Sequence, residues 1–443
     1  MTGRVLDREI LRLAVPALGT LAADPIVSLI DTAFVGRLGK VPLGALGVSV
    51  AVFSVAFFLF NFLAYGTTPL IAGAVAAGDN AKAGRLTTGA LVIGLGLGMA
   101  TMLILEAAAV PVLEIMGAKG ELLSDAEIYL RIRVLGLPAV LLATVAHGVF
   151  RGYQDTKTPL WVTGSISLVN LVLDPLLIFG AGWGLAGAAW ATAIAQWSGA
   201  VVFGVLFWSG RSRFHLHPAW PGLGALNPLF GAGRALLIRS GALLGSLTLA
   251  TAVAARQGDE VVAAHQVAIQ LWIFLALVID ALAIAGQALI GRHVDADPSL
   301  AKAYAARLVR WGIAGGLVLA ATMGAGWRYL PGVFSEDADV LAQVGSVYGF
   351  IVVMQPLNAA VFVWDGIVIG ARRFGFLAAT TVVAAAATAA ALVATHLQEW
   401  GLSGVWWSLV VLISIRFTTL LAWHLAGPFG SGRGPSRVSR EAA

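Results

Sequence analysis

The chain has 443 residues, of which 59% are hydrophobic and only 12% charged, with a formal net charge of +5. A mean hydropathy of +0.87 excludes a soluble globular fold, because too little polar surface exists to cover the apolar side chains. With no cysteine, disulfides and thiolate metal sites are excluded, and with no GxxxxGK[ST] motif the chain does not hydrolyse ATP.

Apolar runs long enough to cross a bilayer core of about 30 Å recur from end to end, and they must be helical to pair their backbone groups in hydrocarbon. Met1 to Arg12 carries Asp7 and Glu9 and lacks a cleavage pattern, so the first span is expected to stay. Spans are predicted at about 10–38, 43–76, 86–110, 127–150, 158–181, 185–209, 234–256, 260–290, 304–328, 339–370, 374–396 and 401–426. Lys and Arg number about 20 on the side of the amino terminus and about seven on the other. By the positive-inside rule both termini are cytoplasmic, as expected of a multi-pass protein of a bacterial-type cytoplasmic (inner) membrane. Because the basic residues alternate by loop instead of lining one face, nucleic acid is not an expected partner; the lipid bilayer is. Glu336, Asp337 and Asp339 read as solvated surface in an outer loop, and 427–443, rich in Gly, Ser and Arg, as a disordered cytoplasmic tail.

The chain repeats itself. Pro138, Gly148 and Gly152 recur as Pro356, Gly366 and Gly370 about 218 residues later. The run Gly184-Leu185-Ala186-Gly187 recurs as Gly401-Leu402-Ser403-Gly404, and Asn61 falls opposite Asp280. The expected organisation is an amino-terminal six-helix lobe (1–215), a cytoplasmic linker (216–233), a carboxy-terminal six-helix lobe (234–426) and the tail. Six spans per half make the lobes parallel repeats, so the fold class is an all-α polytopic membrane protein of twelve helices with a cavity between two lobes.

A carboxylate in mid-membrane costs about 2.5–3.5 kcal/mol even on a lenient scale, so each one needs a reason. Asp31 lies in span 1. Asp174 lies in span 5, with Asn170 four residues earlier on the same helix face. Thr192 is in span 6. The second-half counterparts of these four are near Ala250, Ala387, Ala391 and Leu409, so the first half is expected to hold the coupling-ion site. Pro16 and Pro25 allow span 1 to bend; Asp24 and Asp174, each just before a proline, have the alternative of capping a restarted helix. Asp24, Gln266, Asp280 and Asp365 are candidates for the substrate cavity, with His265 and Gln270 beside Gln266. Arg416 is read as the one basic residue at depth, and this excess of buried acids favours cationic or neutral amphipathic cargo. No metal is expected beyond Na⁺ at the coupling site.

Asp24-Pro25 with Leu29-Ile30-Asp31-Thr32-Ala33-Phe34-Val35-Gly36-Arg37, the loop Arg151-Gly152-Tyr153-Gln154-Asp155-Thr156-Lys157-Thr158-Pro159, Ala264-His265-Gln266-Val267-Ala268 and Asp280-Ala281-Leu282-Ala283 resemble the multidrug and toxic compound extrusion (MATE) family, DinF-like branch. The resemblance covers nearly the whole chain. It implies twelve helices in two lobes and antiport of small organic molecules against H⁺ or Na⁺, without catalysis or a cofactor. It also implies that Asp31, Asn170, Asp174 and Thr192 match the family's cation site. Other branches carry a glutamate in span 7, where this chain has no acid. The chain is expected to act as a monomer. A lipid-linked precursor flippase of related architecture is the alternative, expected to have a strongly basic central cavity. A membrane prenyl transferase would need Asp-rich motifs on helices, and a passive channel would not need a titratable group beside a proline-bent helix.

Overall fold

With little charge to interrupt them, the apolar runs form long helices that stop where glycine or a polar loop frees the backbone. The computed structural model describes residues 3–216, 222–333 and 338–429. The first half comprises α1 (Gly3–Gly36), α2 (Lys40–Phe60) joined at Asn61 to α3 (Phe62–Ala76), α4 (Asn80–Ile115), α5 (Gly120–Val134), α6 (Leu137–Gly152), α7 (Lys157–Pro175) and α8 (Gly184–Ser209). The second comprises α9 (Leu223–Ala255), α10 (Asp259–His293), α11 (Pro298–Gly326), α12 (Ala338–Val353), α13 (Gln355–Gly370), α14 (Phe374–Leu397) and α15 (Gly401–Leu425). Among the described residues nine helices are long and apolar enough to cross a membrane alone, and two bent pairs, α5–α6 and α12–α13, raise that to 11. The shorter apolar helices α2 and α3, laid end to end, complete twelve.

Three boundaries differ from expectation. The helices start earlier than the apolar runs, α1 at Gly3 and α4 at Asn80, because their polar first turns remain helical beyond the hydrocarbon. α9 likewise begins early, at Leu223, inside the segment expected to be linker up to residue 233. Of the acidic run, Glu336 and Asp337 lie outside the described residues, as does the tail beyond Phe429.

The repeat is visible in backbone detail. Gly39 (φ 126°) pairs with Gly258 (φ 133°), Gln154 (φ 61°) with Arg372 (φ 57°), and Gly182 (φ 71°) with Glu399 (φ 53°), each about 218 residues apart. The α5–α6 pair bends by 47° and the α12–α13 pair by 53°. Both bends sit before a proline that crosses a glycine. A Cβ on Gly98 would stand 2.6 Å from the Pro138 Cα, and one on Gly316 would stand 2.8 Å from the Pro356 Cα. Only a missing side chain permits that approach, which is how membrane helices gain packing without a hydrophobic drive.

The same reasoning gives a stability prediction. A Cβ at Gly366 would meet the Ala283 carbonyl oxygen at 2.3 Å, whereas one at Gly345 would meet nothing within 4 Å. Gly366→Ala is expected to lose about 1–3 kcal/mol by overpacking α13 on α10, read as a lower midpoint of thermal unfolding in detergent. Gly345→Ala should not fall.

The lobes meet at the end that carries the amino terminus. There Asp7 on α1 bonds Arg307 and, at 2.8 Å, the Trp311 indole; Tyr304 donates to Glu9; and the Gln154 amide reaches the Ala288 carbonyl at 2.9 Å. Buried residues of α1 fall at Leu6 to Thr20, with only Val35 beyond them. On α10 nearly every residue from Ile279 to Gly291 is buried, while Gln266, Gln270, Ile273 and Phe274 are exposed. These contacts between the lobes lie at the amino-terminal end.

Candidate functional site

The first-lobe polar residues converge where α1, α7 and α8 pack. Asn170 and Asp174, one helical turn apart on α7, are both buried, and the Asn170 amide nitrogen donates to Asp174 Oδ1 at 3.4 Å and to Thr192 Oγ1 at 3.3 Å. Thr192 spends its own proton on the Ala188 carbonyl at 3.0 Å. Asp31, half-buried on α1, brings its carboxyl within hydrogen-bonding reach of Asp174. Asp31 Oδ1 and Asp174 Oδ2 are buried with no donor of their own. All four residues expected at the coupling site thus form one cluster.

Local backbone geometry aims this cluster. Asp174 does not cap a restarted helix: α7 continues through Pro175 and widens into a π-turn at Leu176–Gly180, a feature often found at functional sites. The widened turn is admitted by Gly187 on α8, where a Cβ would stand 2.7 Å from Leu177. Asp24 is not a cap either, because α1 runs helical through both Pro16 and Pro25. Pro16 cannot donate to the Arg12 carbonyl; Thr156 donates to it instead, at 3.5 Å. That contact ties the Arg151–Pro159 loop to α1, while the stretch after Pro25, with Ile26 and Leu29 more than half exposed, is lightly packed.

Basic residues change the expected electrostatics. Arg416 is not the only one at depth, since Arg151 and Arg239 are also buried. Arg239 and Arg416 both bind Asp365 Oδ2, so Asp365 lies inside a buried Arg–Asp–Arg triad rather than lining open space. Beside it the Tyr65 hydroxyl of the first lobe donates to Asp280 Oδ2 at 3.2 Å, with Arg151 and Arg239 in its field. Asp280 therefore sits at the lobe interface. Gln266 is exposed, and His265 beside it is fully buried against Trp406.

In the first lobe Arg133 ends α5 and acts on both Asp24 and Asp31. Arg133 and Arg239 lie within the expected spans 127–150 and 234–256, and the expectation that names Arg416 alone at depth misses both. For Arg239 a signal was present: it follows Leu236-Leu237-Ile238 within an apolar run.

The sequence profile of the MatE family matches residues 16–176 and again 236–395, once in each half. The chain belongs to the MatE family. Over 98% of its length it is 34% identical to Protein DETOXIFICATION 44, chloroplastic, of Arabidopsis thaliana, covering 84% of that protein. It is 29% identical to DNA damage-inducible protein F of Escherichia coli (strain K12), covering 94% of this chain and 91% of that one. Among solved structures, the Vibrio cholerae MATE transporter VcmN in its bent form superposes with a TM-score of 0.86 over 96% of this chain and 97% of that chain at 20% identity, which shows a shared fold. An outward-facing multidrug resistance MATE family transporter superposes with a TM-score of 0.83 at 19% identity, over 96% of each chain. This MatE protein is accordingly a polytopic membrane transporter of twelve helices in two lobes.

Proposed function

We propose that this MatE protein is a proton-coupled antiporter that exports small organic molecules, with Asp31 and Asp174 as the coupling pair and Asn170 and Thr192 as their support. The observation that carries the reading is that the Asp31 and Asp174 carboxyls come within hydrogen-bonding reach while Asp31 Oδ1 and Asp174 Oδ2 stay buried without a donor. Two carboxylates this close do not both stay ionised in a low-dielectric setting, and one shared proton satisfies both. Half-buried Asp31 gives the proton access, and buried Asp174 retains it. Uptake of the proton removes a charge from mid-membrane, which lets the lightly packed part of α1 beyond Pro25 bend and shrink the cavity, releasing cargo. Pro16, anchored through Thr156, stays fixed. One charge moving through 100 mV is worth about 2.3 kcal/mol, enough for a concentration ratio of roughly fiftyfold.

The cargo class follows less directly from charge than the sequence suggested. Arg133, Arg151, Arg239 and Arg416 nearly balance the five acids at depth, so the field does not single out cations; amphipathic organic molecules remain the proposed class. The alternative, a lipid-linked precursor flippase, needs a free basic cavity. Here Arg239 and Arg416 are bound to Asp365, and Arg151 faces Asp280.

The test is reconstitution into liposomes with a pH gradient or a Na⁺ gradient imposed separately against a panel of fluorescent cations and neutral amphiphiles. Efflux driven by the pH gradient supports the reading. Cargo movement indifferent to both gradients would sink it.

Orientation has its own test. The proposed location is a bacterial-type cytoplasmic membrane with the amino-terminal end inside. In this cysteine-free background Asp79→Cys and Lys157→Cys, both at exposed positions, should react only after the membrane is breached. Labelling by an impermeant reagent in intact cells would reverse the topology.

A further inference from the structure

We propose that the lobes part unevenly at the amino-terminal end. Asp7 of α1, bound to Arg307 and Trp311 of α11, is a latch that breaks in each transport cycle. Its counterpart in the repeat, Leu226 of α9 on Gly89 of α4, is the pivot that stays closed. This holds whichever residues carry the coupling ion.

The internal repeat makes the two sides of the lobe interface counterparts. At an offset of about 218 residues α9 answers to α1 and α11 to α4, and each lobe sends one helix across: α1 onto α10 and α11, α9 onto α3 and α4. Further along, both crossings are apolar. Ala17 of α1 packs with Ala281 and Ile284 of α10, and Ala232 of α9 lies against Gly66 of α3, where a Cβ would stand 3.2 Å from it. Toward the amino-terminal ends of α1 and α9 they differ. Leu226, fully buried, covers Gly89 so closely that a Cβ there would overlap its Cδ2. The positions that correspond to Leu226 and Gly89 hold Asp7 and Arg307, and there the contact is ionic. Arg307 Nε and Nη2 donate to the two Asp7 oxygens, the Trp311 indole donates to Asp7 Oδ1 at 2.8 Å, and Tyr304 donates to Glu9.

The two contacts respond differently to motion. Alternating access by rocking one bundle against the other parts the lobes at this end. Water reaching Asp7 and Arg307, whose side chains are already 20% and 33% exposed, solvates both charges as they separate. Leu226 leaving Gly89 would instead uncover apolar surface with nothing to replace the contact. A leucine on a glycine also has no directional bond to lose, so the two helices pivot or slide a little and stay packed. A forked carboxylate–guanidinium pair has a fixed geometry and is either made or broken. The remaining contacts at this end do not favour a side. Gln154, bonded to the Ala288 carbonyl of the second lobe, and Arg372, packed on Gly73 of the first, are themselves counterparts in the repeat. The latch therefore lies on α1, the helix that also carries Asp31, and the pivot on α9.

The cysteine-free chain allows paired spin labels. Lys157→Cys with Lys302→Cys spans the α1–α11 side, and Lys82→Cys with Asn227→Cys spans the α9–α4 side, all four at exposed positions. Distance distributions are measured by double electron–electron resonance on full-length protein in nanodiscs, for the unaltered latch, Asp7→Asn, Arg307→Gln and the exchanged pair Asp7→Arg with Arg307→Asp. On the α1–α11 side the ratio of long to short distances should rise about fivefold in each single variant and fall back in the exchanged protein. On the α9–α4 side the distance should stay the same in all four. Unchanged distributions in a folded single variant overturn the inference, and so does equal lengthening on both sides. An exchanged protein as open as the single variants also overturns it, because the charge pair is then not what holds the lobes. Trp311→Phe, which removes only a neutral donor, decides the matter where a single charge variant does not fold. It should raise the long-distance ratio about twofold on the α1–α11 side alone, and no rise there overturns the latch.

Discussion

Asp31→Asn is expected to abolish gradient-driven export while leaving the protein folded. The amide keeps the size of the side chain and supplies, through its NH₂, the donor that the buried carboxyl pair of Asp31 and Asp174 lacks. The pair is then fixed as if its proton were permanently bound. It no longer titrates, so cargo binding should lose its pH dependence and settle at the weak affinity of the protonated form at every pH. Transport under an imposed pH gradient should fall at least about a hundredfold, the upper range of what one general acid–base group contributes being larger still. Because no buried donor is left unpaired, the midpoint of unfolding should stay within about 1 kcal/mol of wild type. Near wild-type export by the purified variant would remove Asp31 from the mechanism and leave Asp174 as the leading candidate.

That cluster was legible because helical spacing is local information. Asn170 and Asp174 share a face by virtue of four residues, and the internal repeat showed which half lacked them. The repeat itself was legible for a related reason: Pro138 and Pro356 mark helix breaks, and the glycines they cross, Gly98 and Gly316, lie at the same spacing. What the sequence could not disclose is the direction in which a broken helix turns. The α5–α6 pair bends by 47° after Val134 and Arg133 lies against Phe53 and Gln196, a direction that hydropathy does not disclose. Arg239 and Arg416 posed the complementary difficulty. They are about 180 residues apart in sequence and meet only at Asp365 on α13, so neither looked paired from its neighbours. Sign counting over spans then overstated the acidity of the interior. The capping role considered for Asp24 and Asp174 failed for a different reason: in hydrocarbon a helix has no water to receive freed carbonyls, so it continues through proline and recruits a side chain such as Thr156.

The largest stability effect is expected at Asp365. Its Oδ2 receives both Arg239 and Arg416, with side chains 4% exposed for Asp365 and Arg416 and 10% for Arg239. Asp365→Asn keeps one acceptor oxygen and the shape of the site, but it removes the charge that two buried guanidiniums share. Breaking a buried ion pair by deleting one partner costs about 3–5 kcal/mol, because the remaining charge stays uncompensated. Here two charges are left, and Asp280, the nearby carboxylate acting on Arg239, already has Tyr65 and Arg151 to serve. The expected result is loss of the monodisperse peak on size exclusion and a sharp fall in the thermal midpoint in detergent. The control separates charge from packing. Replacing the whole triad, as Arg239→Met, Asp365→Leu and Arg416→Met together, removes the three desolvated groups at once, and such replacements elsewhere are neutral or stabilising by about 1–4 kcal/mol. A triple variant that folds while Asp365→Asn does not would establish that the triad holds the second lobe by mutual neutralisation. If Asp365→Asn instead folds normally and loses only the binding of particular cargoes, the triad is a substrate contact, and the buried arginines are placed for the transported molecule rather than for each other.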